Sequence, residues 1–314
     1  MTTLGEQGQR ELRTADALRG DRAALDHRLE EDGYLFFRGA VPLSAVTRLR
    51  AGVLAVLRGH GYVDDGDQGV WTGKDIAPFG THPPELHERR LWQAFVADPG
   101  VNAFFEELYG AAVHWVPISQ YRFTAPTPAD ADADPLAGRH QDGFYNEGIA
   151  FRTAWIPLVD VDEEVGGLAL APGWHRRGWL HDQSDPPLYP IPPDTIPAQA
   201  WRRSHYHPGD VVLFDRRTPH AGLPNHSNRL RLSIDVRATG MSGPLPVEGV
   251  VAAVGQSSVT LRLTGGDELT LTVDENTYIR VEKGRRIGLE ELAVGTAALV
   301  AHEDGRATVV RRPT

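Results

Sequence analysis

His140 and Asp142 stand two residues apart, His220 follows 78 residues after the aspartate, and Arg231 lies eleven residues further on. Two imidazoles and one carboxylate can occupy one face of an Fe(II) ion and leave the other positions open for a co-substrate and oxygen. An arginine supplies a planar, permanently charged fork that matches a carboxylate. Together these residue types describe a candidate oxygen-activating iron site with an anionic co-substrate. Each member also has an ordinary explanation: His-x-Asp arises often by chance, and Arg231 taken alone is one of several arginines on a solvated strand face.

For the His-x-Asp pair to reach one ion its backbone must be extended, because residues two apart on a strand share a face. His220 lies just past a strand and a Pro219 turn, and Asn225, Ser227 and Asn228 follow before the next strand. That strand, 229–237, alternates without interruption: Leu230, Leu232, Ile234 and Val236 against Arg229, Arg231, Ser233, Asp235 and Arg237. An arginine on an inward face without a partner is costly, so Arg231 calls for an anion. Ser233 shares its face and can add a hydrogen bond to the same group.

The elements around these residues follow from periodicity and punctuation. Residues 12–30 carry apolar residues at helical spacing, broken near Gly20, and 33–38 reads as a short buried strand. A helix begins at Pro42, with Val46, Leu49, Val53 and Leu57 on one face, and further helices are expected over 85–97 and 99–109. Strands are expected over 114–123, 151–159, 167–171 and 210–214, with long Pro-rich segments at 124–138 and 181–200. Helices followed by strands predict a sandwich or barrel buttressed by helices. Past the Gly/Ser/Pro run at 240–246, six short strands (248–254, 258–263, 268–273, 277–281, 297–301 and 307–311) predict a small β-barrel. The expected domains are therefore 1–243, with 1–10 disordered, and 246–314.

Composition narrows the function. A net charge of -10 argues against a nucleic-acid groove or an anionic membrane surface as partner. With no cysteine, thiolate nucleophiles, disulfides and Cys-based metal sites are excluded, so any metal is held by nitrogen and oxygen. No signal pattern or long apolar run stands in the chain, and a cytoplasmic location is expected. The basic residues are arginine apart from Lys74 and Lys283, a bias of high-GC bacteria, where natural-product tailoring is a reasonable expectation.

Several segments occur in an order that resembles the phytanoyl-CoA dioxygenase family. They are Gly33-Tyr34-Leu35-Phe36-Phe37-Arg38, then Arg139-His140-Gln141-Asp142-Gly143, then Gly166 to His175, then Pro208 to Asp215, and finally His220 with Arg231. The resemblance covers about 20–240 and implies a double-stranded β-helix (jelly-roll, cupin-like) core and an enzyme using Fe(II), 2-oxoglutarate and O2. It implies His140, Asp142 and His220 as iron ligands and Arg231 on the distal carboxylate of 2-oxoglutarate, with Ser233, Gln120 and Thr153 as further co-substrate contacts. The implied reaction is hydroxylation, desaturation or cyclisation of a small molecule with release of succinate and CO2. Related halogenases replace the ligand carboxylate, so an intact Asp142 favours hydroxylation. Pro172-Gly173-Trp174-His175 departs from the family's Pro-Gly-Ser-His, and its tryptophan either narrows the pocket or packs.

Other readings stay open beside this one: a catalytically silent metal-binding scaffold, or a cupin-like metal-dependent hydrolase or isomerase. His205 and His207 form a second metal-like pair next to a Pro-Gly turn but suit surface imidazoles better. His175 and His181 are candidate substrate or supporting groups, His226 suits solvent, and Trp71, Phe144, Tyr145 and Trp179 are candidate pocket walls or packing residues. The C-terminal domain has no catalytic set. Its candidate uses are capping the catalytic domain, a homodimer contact or a carrier-protein contact.

Overall fold

A computed structural model describes residues 11–312 except 67, 77–82, 129–133, 185–188, 241–244 and 282–285. The expected disorder of 1–10 lies outside the described residues. In chain order the elements are α1 (Arg22–Asp32), β1 (Tyr34–Phe37), α2 (Leu43–Gly59), α3 (Glu85–Glu88), α4 (Leu91–Val96), α5 (Pro99–Tyr109), β2 (Val113–Thr124), α6 (Asp142–Tyr145) and β3 (Arg152–Pro157). There follow β4 (Gly167–Leu170), β5 (Val211–Asp215), β6 (His220–Leu223) and β7 (Arg231–Gly240). The C-terminal strands are β8 (Leu245–Val254), β9 (Ser258–Leu263), β10 (Glu268–Thr272), β11 (Tyr278–Val281), β12 (Ala297–Glu303) and β13 (Arg306–Arg312).

Local chemistry sets the helix limits. Asp21 accepts from the Ala24 amide at the start of α1, which stops at Gly33 with φ of 81°. Asp98 caps α5, Pro99 takes its first position, and Gly110 ends it in the left-handed region. The single helix expected over 85–97 is two, α3 and α4, because Arg90 adopts a φ of 52° between them.

β1-β5-β3-β7-β2 form a five-stranded sheet, and β4 pairs with β6 in a second, two-stranded sheet. The chain is thus mostly β with helices gathered in its N-terminal part. One face of the large sheet meets the helices: Leu232, Ile234 and Val236 of β7, with Leu230 just before it, share a buried cluster with Leu49 and Val53 of α2 and Phe104 and Phe105 of α5. The other face, carrying Arg231, Ser233 and Asp235, looks into a cavity whose opposite wall includes Leu168, Gly222 and Leu223 from the small sheet. Both faces of β7 are therefore buried.

The C-terminal strands form a separate six-stranded sheet, β10-β9-β8-β12-β13-β11, with an additional pairing of Thr272 and Arg306 that joins β10 to β13. It encloses its own apolar cluster around Val251, Leu261, Leu271, Val300 and Val310. A third cluster crosses between the two parts: Val116, Ile149 and Phe151 pack on Leu299, Ala301 and Val309. No described helix is long and apolar enough to cross a membrane.

Candidate metal centre and co-substrate cavity

His140 and His220 face each other as a hydrogen-bonded antiparallel pair: each amide donates to the other's carbonyl, at 2.9 and 3.0 Å. Their rings lie 4.2 Å apart between centroids. Asp142 is not on a continued strand, as its spacing suggested. Gln141 is extended, with φ of -120° and ψ of 119°, and Asp142 opens α6. One extended residue keeps the alternation, so the aspartate still turns to the same side as His140. The ligand-type atoms of His140, Asp142 and His220 all lie within 4.8 Å of one another, and Asp142 Oδ1 is 3.3 Å from His140 Nε2 and 3.7 Å from His220 Nε2.

Hydrogen bonds prepare each of the three groups. His140 Nδ1 donates to the Gly138 carbonyl at 2.8 Å and His220 Nδ1 to the Thr218 carbonyl at 3.0 Å. A carbonyl can only accept, so both imidazoles carry their proton on Nδ1 and turn the Nε2 lone pair to the centre. Burial pushes the His220 imidazole down to about 3, which keeps it neutral. Asp142 Oδ2 accepts from Thr153 Oγ1 at 2.6 Å and from Arg237 Nη2 at 2.8 Å, leaving Oδ1 toward the imidazoles. Burial opposes ionisation of Asp142, but the Arg237 guanidinium beside it outweighs burial and holds the carboxyl well below the usual range. Two neutral nitrogen donors and one carboxylate oxygen on one side of a point fit Fe(II).

A cavity of about 400 Å³ adjoins this centre, lined by His140 and His220 at one end and by Thr124, Gly222, Arg231 and Ser233 further in. Arg231 is only 7 % exposed, and among the described residues no carboxylate pairs with it. Its guanidinium donates to the Leu223 carbonyl at 2.5 Å and to Thr124 Oγ1 at 3.1 Å. Burial brings it down to about 10, so it remains a cation at neutral pH. Ser233 Oγ is buried and has no hydrogen-bond partner among the described residues. Gly222 leaves the space: a Cβ there would lie 2.8 Å from Arg231 Nη2. A buried cation, an orphaned hydroxyl and a cavity running to the metal-type centre fit a dicarboxylate such as 2-oxoglutarate.

The phytanoyl-CoA dioxygenase (PhyH) family profile matches residues 29–233. The chain belongs to this family. It is accordingly an Fe(II)- and 2-oxoglutarate-dependent oxygenase. Among curated proteins, two named 1-deoxypentalenic acid 11-beta-hydroxylase are similar. That of Streptomyces arenae is 29% identical over 233 residues, and that of Streptomyces exfoliatus is 26% identical over 246. Each comparison covers 69% of this chain and 81% of the relative. Among solved structures, the non-heme alpha ketoglutarate dependent carbocyclase SnoK from nogalamycin biosynthesis is 23% identical, with a TM-score of 0.49 over 74% of this chain and 89% of its own. The family match ends at 233, before the C-terminal sheet begins.

The remaining candidates fall into three groups. Thr153 binds Asp142 directly, while Gln120 pairs in register with Asp235 and its buried Oε1 has no partner among the described residues. His181 and Gln141 tie the ligand segment to the insertion after β4. His181 Nε2 accepts from the Gln141 amide at 3.0 Å, its Nδ1 donates to the Tyr189 carbonyl at 2.6 Å, and its ring stacks on Phe144 at 4.0 Å. His207 instead pairs with Asp160 on the surface, and His175 reaches the Glu30 carbonyl. Among the described residues only His140, Asp142 and His220 form a metal-type group.

Two important residues escaped the sequence reading. Arg237, 1 % exposed, anchors Asp142, and Asn146 donates to the Asp142 carbonyl at 2.9 Å. Arg237 did have a signal, since it sits on the same strand face as Arg231. Its second donor, Nη1, reaches the Ile118 carbonyl at 3.2 Å, where the β2–β7 register slips beside Pro117. Pro117 cannot donate to the ladder, and the interruption leaves a carbonyl for the arginine.

Proposed function

We propose that the protein hydroxylates a small, largely apolar molecule, or desaturates or cyclises it, with release of succinate and CO2. In this proposal His140, Asp142 and His220 hold the iron. Arg231 and Ser233 bind the distal carboxylate of 2-oxoglutarate, and Gln120 assists once its amide turns its NH2 inward. Thr153 serves the iron ligand Asp142 in place of the co-substrate. The observation that carries the proposal is the buried Arg231, with no carboxylate partner among the described residues, in the cavity that the two imidazoles also line.

Bound iron and 2-oxoglutarate supply the oxidising chemistry. The chain's own contribution is placement. Thr153 and Arg237 fix Asp142 Oδ2 so that one oxygen serves as ligand, and the backbone carbonyls of Gly138 and Thr218 fix both imidazole tautomers. Trp155, Leu168 and Phe214 line the cavity with apolar surface that keeps water from the reacting centre.

A second cavity of about 290 Å³ suits the substrate. It is walled by Phe144, Tyr145, Trp179, Tyr189 and Tyr278, with Glu147 at its edge. The Tyr145 ring is 6.1 Å from that of His140, so a molecule here lies beside the metal centre. Aromatic walls favour a flat or polycyclic apolar skeleton. The relatives' substrate, 1-deoxypentalenic acid, makes a natural product the first class to try. On this proposal the sheets around the first cavity form a double-stranded β-helix within 1–243, and 246–314 forms a small barrel closed at Thr272 and Arg306.

Incubation with Fe(II), 2-oxoglutarate, O2 and a panel of polycyclic acids tests it. Succinate should form in step with a product that has gained one oxygen, or lost two hydrogens. Absence of 2-oxoglutarate turnover across the panel and in its absence would contradict the proposal.

A further inference from the structure

The short α6 cannot hold its own shape. Four residues form barely one turn, and the carbonyls at its end lack partners within the helix. Donors must come from elsewhere: Arg216 reaches the Ile149 carbonyl at 3.2 Å, and others belong to the C-terminal sheet. Arg280 of β11 is 1 % exposed, and its Nη2 donates to the carbonyls of Tyr145 and Glu147 at 3.3 and 3.4 Å. Arg311 of β13 donates through Nη1 to Asn146 Oδ1 at 2.5 Å, and Asn146 in turn donates to the Asp142 carbonyl. Gly148, with φ of 83°, lets the chain press on Val309, where a Cβ would come within 2.4 Å of a methyl. The apolar contact of Val116, Ile149 and Phe151 with Leu299, Ala301 and Val309 seals the same junction.

We infer that the C-terminal sheet is a positioning part of the metal centre: Arg311, through Asn146, and Arg280 hold the turn that aims Asp142 at the ion. A buried guanidinium pointed at backbone carbonyls is expensive to desolvate, and Arg280 is aimed at two carbonyls of a turn in the neighbouring domain. That placement is not explained by stabilising the sheet, whose own apolar cluster lies away from the junction. The inference rests on the metal site proposed above. It makes Arg280, Arg311 and Asn146 positioning residues, and it gives the sheet a use other than dimerisation or carrier binding.

Titration of the full-length apoprotein with Co(II), followed by its visible ligand-field bands, tests this without turnover. The wild type should take up one Co(II) per chain, and His140→Ala should not. Arg311→Gln, which removes the cation, and Asn146→Asp, which keeps a partner for Arg311 but loses the donor to Asp142, should each bind Co(II) about tenfold more weakly, as loss of a group that orients a ligand usually does. Leu271→Val, in the sheet's own core, should lower Tm and leave Co(II) affinity unchanged. Unchanged affinity in Arg311→Gln and Asn146→Asp beside a normal wild type would overturn the inference and leave the metal site standing. A wild type that binds no Co(II), or a His140→Ala that binds it equally well, would overturn both.

Discussion

β7 and β9 have the same alternating texture and use it in opposite ways. In β9, Val259 and Leu261 are buried while Ser258 and Thr260 stay partly exposed and Arg262 is exposed, the usual arrangement of a sheet wet on one side. In β7, Leu232, Ile234 and Val236 pack under the helices, yet Arg231, Ser233, Asp235 and Arg237 are buried as well. Alternation tells which residues share a face; it does not tell which face is wet. A strand that buries two arginines and an aspartate carries a large desolvation cost. Here Arg237 pairs with the Asp142 carboxylate, and Arg231 lines the cavity beside the two imidazoles.

The sharpest way to break that contrast is to remove the charge nearest the metal. Arg237→Met leaves Asp142 as a buried anion without its partner and should destabilise the metal-free protein by about 3–5 kcal/mol. A divalent ion replaces the lost positive charge, so Co(II) should raise the variant's Tm more than that of the wild type. Thermal melts with and without Co(II) check this; equal metal-induced shifts would show that Arg237 does not balance Asp142.

Arg231 should behave differently from Arg237, because it has no carboxylate to abandon. Arg231→Met should weaken 2-oxoglutarate binding by about 100-fold, within the range for truncating one member of a buried charge pair, while the stability of the free protein changes by less than about 1 kcal/mol. Calorimetric titration of 2-oxoglutarate into the Co(II) protein, beside denaturant unfolding, measures both. A smaller effect is expected from Gly222→Ala, whose methyl would push on the Arg231 guanidinium. 2-Oxoglutarate affinity should fall about tenfold, a loss of about 1.4 kcal/mol, with Co(II) affinity unchanged. Smallest of all, Tyr278→Ala removes one aromatic wall worth about 0.5–1.5 kcal/mol. It should raise substrate KM several-fold and leave the KM for 2-oxoglutarate alone. A shift in the latter would place Tyr278 against the wrong cavity.

What could be read from the chain follows the same division. The C-terminal strands were foreseen almost to the residue at 258–263 because alternation and Gly-rich turns are local signals. The grouping of His140, Asp142 and His220 was legible through the order of motifs shared with the family, since His-x-Asp alone arises often by chance. Partnerships across the fold were not legible. Arg237 meets Asp142 95 residues away and Arg311 meets Asn146 165 residues away, and nothing in the sequence near either member announces the other. The family resemblance puts Thr153 at the co-substrate, but only the packed structure gives its hydroxyl to Asp142. The break at Arg90 likewise has no local signal, since a left-handed arginine is not one that propensity anticipates.

The central claim is that His140, Asp142 and His220 hold one ferrous ion next to a 2-oxoglutarate gripped by Arg231. Anaerobic titration of the apoprotein with Fe(II) and then 2-oxoglutarate measures it most directly, through the weak visible charge-transfer band of the chelated complex. The band should appear at one equivalent of each, vanish in His220→Ala, and require far more 2-oxoglutarate in Arg231→Met. A band of undiminished strength in His220→Ala, or none in the wild type, would contradict the account.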